Sequence, residues 1–325
     1  GPATEQTVES YMAALFAEIG GRAKDYSDRT VTSIFIGGGT PSLLSGEQIG
    51  QLMDRIREQF AMAQDAEITM EVNPGTANAE KLRNFYTAGI NRLSIGMQSA
   101  QAEELKNLGR IHDFEGFCQV YREAVEAGFT NINVDIMSGL PGQTLASYRD
   151  TLEKVLHLEP MPQHISAYSL IVEEGTPFAA MAERGELPLP EEETERAMYE
   201  ETIEVLAKYG FHRYEISNYA RDGYECRHNV GYWIRRDYLG FGIGAASLID
   251  NVRFQNEKSL GAYLAHPLES REEEQTLTVQ DRMEETMFLG LRLTRGVSCV
   301  DFAEQYGRTV EEVYGEVIAR NVADG

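Results

Sequence analysis

The chain has 325 residues, with 29 Lys+Arg against 52 Asp+Glu, 6 His and 3 Cys, and a formal charge of −23. Its 42% hydrophobic and 25% charged residues are ordinary for a globular chain long enough to bury a core without covalent staples. No 18-residue apolar run is present to span a membrane, three scattered Cys make no disulfide framework, and the acidic balance disfavours a surface that tracks nucleic-acid phosphates. The expectation is a cytoplasmic protein with no membrane span and no nucleic-acid partner.

The N-terminal TEQTVESYMAALFAEIG reads as an amphipathic helix and not as a signal peptide. Strands are predicted at 31–36, 67–71, 92–96, 131–135, 163–168 and 211–216. Three times a helix ends in Gly, followed by an apolar residue and then a strand: Gly89-Ile90, Gly128-Phe129 and Gly210-Phe211. Between two of them, Phe114, Phe117, Val120, Tyr121, Ala124 and Val125 recur at helical spacing and form one apolar stripe. The alternation predicts an α/β chain with a largely parallel sheet, either a (β/α) barrel or an open doubly wound sheet. Beyond Glu183 the texture changes. ERGELPLPEEETER reads as a loop leading into a helix from about Glu191 to Lys208, and YLGFGIGAAS is Gly-rich. EKSLGAYL, REEEQTLTVQDRMEETMFLGLRL and TVEEVYGEVIAR predict helices. The expected division is a barrel over 1–220, a connecting region over 221–270 and a small, mainly helical C-terminal domain over 271–325.

The informative residues follow the strands. SIFI runs into Gly37-Gly38-Gly39-Thr40, EITM into Glu71, RLSI into Gly96-Met97-Gln98, NINV into Asp135 and HISA into Tyr168. Parallel α/β proteins gather their sites at these ends, so the pattern predicts a polar rim around one mouth. Backbone N–H groups at Gly38 and Gly39 suit a carboxylate. Glu71 and Asp135 suit hydroxyl donors, and Arg110 suits a carboxylate in two-pronged geometry.

GGGTPSLL, EVNPGT, RLSIGMQS, LGRIH, DIMSGLPGQT and HISAYSL resemble radical S-adenosylmethionine (SAM) proteins of the oxygen-independent coproporphyrinogen III oxidase type. HISAYSLIVEEGTPF, YEISNYA and CRHNVGYW…YLGFGIGAAS are similar to the heme chaperone HemW branch of that family. The resemblance implies a partial (β/α)6 TIM-like barrel whose first strand is missing from this chain, with SAM at the C-terminal mouth. It places Gly38, Gly39 and Thr40 against the methionine moiety, Glu71, Gln98 and Asp135 around the ribose and methionine parts, and Arg110 at the SAM carboxylate.

The resemblance also marks HNxxxW, here His228, Asn229 and Trp233, as the heme-binding segment. An imidazole suits heme iron and an indole suits the macrocycle face. Cys226 is a further candidate ligand, and Arg235 and Arg236 are candidates for the heme propionates. A [4Fe–4S] cluster is implied as well, but its CxxxCxxC thiolates are absent. The cluster is therefore expected only in a form that carries a segment preceding Gly1-Pro2.

The function implied is a heme carrier that passes heme to a recipient hemoprotein, such as a respiratory membrane enzyme, with a homodimer compatible. The enzyme alternative is a radical SAM coproporphyrinogen III dehydrogenase. A barrel aldolase would want a buried Lys or a metal triad at the mouth, and the sequence shows neither.

Overall fold

The computed structural model describes residues 4–269 and 271–324; Gly1 and Pro2 lie outside the described residues. Packing divides the chain into two compact units. One runs from Arg29 to Cys226, and the other joins the residues up to Asp28 with those from Arg227 onward.

The Arg29–Cys226 unit holds a seven-stranded sheet. Its strands are β1 Thr30–Ile36, β2 Ala61–Val72, β3 Arg92–Gln98, β4 Ile132–Ser138, β5 His164–Ser169, β6 His212–Arg213 and β7 Asn218–Ala220. The order is β1-β2-β3-β4-β5-β7-β6, and the first five strands pair in parallel. Strand order follows chain order without reversal through β5. A doubly wound sheet reverses at a switch point, so this sheet is of the barrel type.

The Gly repeat has a common cause. The helix Phe114–Ala127 ends at Gly128, with φ +109°. Gly128 N–H donates to Val125 C=O at 3.0 Å and Phe129 N–H to Ala124 C=O at 3.1 Å. Phe129 is thereby turned inward and buried. The same pair of bonds recurs at Gly89-Ile90 and Gly210-Phe211. The apolar residue after each Gly is thus the hydrophobic partner of a helix cap, aimed at the core.

Alternation along the strands then sorts the two faces. Ile68, Met70 and Val72, with Leu93, Ile95 and Met97, Ile132, Val134 and Ile136, and Ile165, pack in the hydrophobic core. The residues between them are polar: Glu67, Thr69 and Glu71; Arg92, Ser94 and Gln98; Asn133 and Asp135; His164, Ser166 and Tyr168. Period two sends them to the opposite face.

Two expectations are corrected. The predicted strand 211–216 is a two-residue strand followed by a turn. Buried Glu215 accepts from Ser217 N–H at 2.7 Å and from Asn218 Nδ2 at 2.6 Å, which reverses the chain into β7, antiparallel to β5. The predicted helix beginning at Arg271 is instead β10, Arg271–Thr276, antiparallel to β9, Val252–Asn256, which pairs with β8, Ala246–Ile249. The Glu residues favour a helix by propensity, but a charged strand also suits the edge of a sheet.

The second unit contains that three-stranded sheet, the helix Glu5–Arg22 and the C-terminal helices Val279–Gly290, Cys299–Tyr306 and Val310–Asp324. Met283, Phe302 and Val310 form the core of these last helices. The N-terminal helix is fixed by Glu18, which is fully buried. Its carboxylate takes Arg22 Nη1 at 2.9 Å, Asn256 Nδ2 at 2.7 Å, Gly242 N–H at 2.9 Å and Tyr263 OH at 2.7 Å. Among the described residues no helix is long and apolar enough to cross a membrane.

Candidate functional site

Parallel register brings the polar strand residues into rows. Glu71 lies beside Ser94, Ser94 beside Asn133, and Asn133 beside His164; Gly96 lies beside Asp135, and Asp135 beside Ser166. At the C-terminal ends of these strands is a cavity of about 200 Å³. Gly39, Thr40, Glu71, Gln98, Arg110 and Asp135 line it, six of the seven residues expected to hold SAM.

The seventh, Gly38, does not line the cavity. Its N–H donates to Glu71 Oε2 at 3.1 Å and so holds that carboxylate. The three glycines divide the work. A Cβ at Gly37 would stand 2.8 Å from the Phe35 ring and 2.9 Å from the Glu71 carboxyl carbon, while Gly38 and Gly39 have φ of +80° and +70°. Only Gly makes this turn beside Glu71 without strain.

The loops are clamped from below. Lys81 Nζ donates to the carbonyls of Ser42, Leu43 and Thr76, joining the segments after β1 and β2. Buried Glu104 accepts from Ser99 and Ser147 hydroxyls, both at 2.6 Å, and from Gln143 Nε2 at 3.1 Å. That carboxylate secures the segments after β3 and β4.

The register shifts between Gly96 and Gln98, and Gln98 adopts φ +61°. A non-glycine residue held there is strained, and such strain is concentrated at functional sites. Gln98 Oε1 is buried and has no hydrogen-bond partner among the described residues. It is an acceptor waiting for a donor from a ligand.

The electrostatics call for a donor-rich or cationic ligand. Burial lifts the Glu71 carboxyl above its ordinary range; the Gly38 N–H opposes the lift and nearby Asp135 adds to it. Burial also lifts Asp135, against hydrogen bonds from Asn133, Ser94 and Ser166 and the charge of Arg92. Burial raises the Tyr168 phenol, and Asp135 adds to that effect. Two desolvated carboxylates gain most from hydroxyl donors or a positive charge. His112 sits behind the mouth, buried, with Nε2 3.4 Å from the Met97 carbonyl.

Tyr168, expected on the rim but not as a SAM contact, also lines the cavity, as do Ser94 and Asn73, which were not expected to bind. The signal for Ser94 was legible, because Arg92, Ser94, Gly96 and Gln98 alternate with Leu93, Ile95 and Met97.

The HNxxxW segment is the helix Arg227–Trp233. Helical spacing splits the motif. His228 pairs with Tyr232 on one face, and Asn229 shares a different face with Trp233. His228 Nε2 is 2.8 Å from Tyr232 OH, and the two rings meet edge to face at 4.9 Å. The Arg292 guanidinium lies 4.3 Å from the Trp233 ring centre, and Trp233 Nε1 has no hydrogen-bond partner among the described residues. The imidazole suits heme iron, whereas the indole N–H is buried on a different face of the helix.

Two expected contacts are redirected. The Arg235 side chain is 4% exposed and paired with Glu285 at 2.9 Å, so it is not presented to a propionate. The Cys226 thiol is fully buried in the Arg29–Cys226 unit, 3.5 Å from Glu67 Oε1, and its N–H donates to Tyr214 OH. A thiol enclosed in this way is not offered as an iron ligand.

The cysteines also do not fit an iron–sulfur cluster. Cys118 is half-buried, Cys226 buried and Cys299 exposed, and among the described residues no three His, Cys, Asp or Glu gather as a metal site.

Residues 8–155 match the Radical SAM superfamily, and residues 277–325 match the HemN C-terminal domain. The chain is 39% identical over 320 residues to the heme chaperone HemW of Bacillus subtilis (strain 168), covering 96% of this chain and 83% of that protein. It is 40% identical over 239 residues to the heme chaperone HemW of Escherichia coli (strain K12), covering 73% of this chain and 61% of that one. Among solved structures, coproporphyrinogen III oxidase (HemN) from Escherichia coli, a radical SAM enzyme, superposes with a TM-score of 0.85. It is 27% identical and covers 99% of this chain and 78% of its own.

Proposed function

The chain belongs to the HemW family of radical SAM proteins, and from that premise we propose that it is a heme chaperone with a SAM site at the barrel mouth. One observation carries the reading. The similarity to the heme chaperone of Bacillus subtilis runs over 96% of the chain, through both the pocket and the helix Arg227–Trp233.

SAM brings a sulfonium cation, an ammonium group, a carboxylate and ribose hydroxyls. Gly39 and Thr40 face its methionine part, Arg110 its carboxylate, and Glu71, Gln98 and Asp135 its ammonium and hydroxyl donors. The cavity is smaller than the roughly 300–1,000 Å³ usual for drug-sized ligands. It therefore takes the polar end of the molecule, with the remainder at the open mouth. Because these cysteines do not fit a [4Fe–4S] cluster, no redox step is assigned to the residues of this chain.

Heme is held through His228, with Asn229 and Trp233 on the adjoining face. Coordination by Nε2 exchanges the Tyr232 hydroxyl for iron. Heme then passes to a recipient hemoprotein, a respiratory membrane enzyme being one such acceptor, from a cytoplasmic carrier.

The test is a hemin titration followed at the Soret band, on this chain and on His228→Ala. The expected result is saturable one-site binding, weakened about tenfold or more by the substitution. Binding that is unchanged in the variant removes His228 from the site, and no saturable binding defeats the heme reading. The structural likeness to coproporphyrinogen III oxidase supports a second reading as a dehydrogenase. Decarboxylation of coproporphyrinogen III by a cluster-loaded, longer form would favour it.

A further inference from the structure

From Asp135 and Ser94 of the pocket a chain of side chains runs beneath it, and its members His164 and Tyr214 take no part in the binding above. Asn133 Nδ2 donates to Asp135 Oδ1 at 2.8 Å and to Ser94 Oγ at 2.8 Å, and Ser94 Oγ donates to Asp135 Oδ2 at 3.0 Å. On its other side Asn133 Oδ1 is 2.6 Å from His164 Nδ1. His164 Nε2 is 2.8 Å from Tyr214 OH, and the Tyr214 oxygen accepts from Cys226 N–H at 3.2 Å. Asn133, His164, Tyr214 and Cys226 are all buried.

The polarity of this chain follows from one end. Both Asp135 oxygens accept, Oδ1 from Asn133 Nδ2 and Oδ2 from Ser94 Oγ, so Asn133 turns its NH2 toward Asp135 and its Oδ1 toward His164. His164 Nδ1 must then carry a proton. A neutral ring leaves Nε2 as an acceptor, so Tyr214 must donate to it. Burial and the charge of Arg92 hold His164 well below its ordinary range, which keeps the ring neutral. The opposite tautomer would turn Asn133 over and set its carbonyl oxygen against the Asp135 carboxylate. The position of one proton on a ring one residue removed therefore decides whether Asp135 is gripped or repelled.

We propose that His164, locked by Tyr214 in its Nδ1–H form, is a positioning residue that orients Asn133 and thereby fixes Asp135 as a pure acceptor for the hydroxyl or ammonium donors of the pocket ligand. The ligand part of this statement rests on the SAM reading above; the tautomer part does not. His164 touches no ligand and acts through Asn133. Its neighbours Ser166 and Asn218 belong to the same lattice, with Ser166 Oγ 3.1 Å from Asn133 Oδ1 and 2.7 Å from Asn218 Oδ1.

The experiment has two arms on the full chain. Histidine side-chain ¹⁵N spectra, with His164 assigned by the signal lost in His164→Gln, report the tautomer directly, and only 6 His contribute. The wild type is expected to show a neutral Nδ1–H ring that does not titrate between pH 5 and 8. Tyr214→Phe, which keeps the ring and removes the donor, is expected to shift that signal toward the Nε2–H form. It should also weaken S-adenosylhomocysteine binding about 3- to 10-fold by calorimetry. An Nε2–H ring in the wild type, or ordinary titration of His164, overturns the proposal whatever the variants do. Unchanged tautomer and affinity in a folded Tyr214→Phe overturn it as well. A wild type that shows the Nδ1–H ring but binds no S-adenosylhomocysteine defeats the SAM reading and upholds the tautomer that orients Asn133.

Discussion

The pocket collects residues from position 39 to position 168 into one cavity, whereas HNxxxW keeps its residues within six positions and sends them to different faces of a helix. In the pocket, parallel register makes distant residues neighbours, and hydrogen bonds from Asn133, Ser94 and Gly38 hold them before any ligand arrives. On the helix, closeness in sequence does not deliver closeness of function, because five residues advance the chain well past one turn. A pre-set pocket should respond to loss of its lattice, and a half-buried helix motif to loss of single side chains.

The largest break in this comparison is expected at a residue of neither set, Glu18. Glu18→Ala removes the Glu18 carboxylate from buried Arg22 and one acceptor each from Asn256, Gly242 and Tyr263. A cost of about 3–5 kcal/mol is expected, as for other broken buried pairs. Trp233, the single Trp, lies in that unit, so denaturant unfolding followed by its fluorescence reads the loss. The pocket residues all come from the other unit. S-adenosylhomocysteine binding measured in the same variant should survive.

Next comes the pocket itself. Asp135→Ala removes the group that the Asn133–Ser94 lattice is built to hold, and S-adenosylhomocysteine affinity is expected to fall about ten- to a hundredfold by calorimetry. Hemin binding by the same variant should be unchanged. A parallel loss of both ligands would erase the distinction between the two regions.

The smallest effect has a sign of interest. Glu71 is lifted above its ordinary range, so the folded protein holds that proton more tightly than the unfolded chain. Its contribution to stability therefore falls as pH rises from the ordinary carboxylate range through the lifted value. Glu71→Gln keeps an acceptor for Gly38 and removes the charge. The ligand-free variant should melt about 1–2 °C above wild type at neutral pH and converge with it in acid, while binding S-adenosylhomocysteine more weakly. A lower melting temperature at neutral pH would show that Glu71 is structural first.

Much of the site could be read from the chain because strand ends are marked locally. Gly-Gly-Gly, Glu71, Gln98 and Asp135 each follow an apolar run, and five parallel strands bring such ends together. Ser94 and the buried row below it were written in the alternation of RLSIGMQ and INVDIMS, a signal that lies along the strands and not at their ends. The redirection of Arg235 to Glu285 and of Cys226 to Glu67 was not legible, since each partner lies at least 50 residues away.

The sequence by itself determined the barrel strands β1–β5, the helices closed by Gly89 and Gly128 and the residues at the mouth. These depend on periodicity and on Gly conformations, which act over a few residues. Tertiary structure decided which N–H groups were spent internally, as at Gly38, and which charges were buried in pairs, as at Glu18. It also decided that Arg271–Thr276 is a strand and that His228 and Trp233 face apart. The reason is physical. Propensities are local and weak, while a burial cost of several kcal/mol is settled only by the partner that the fold brings into contact.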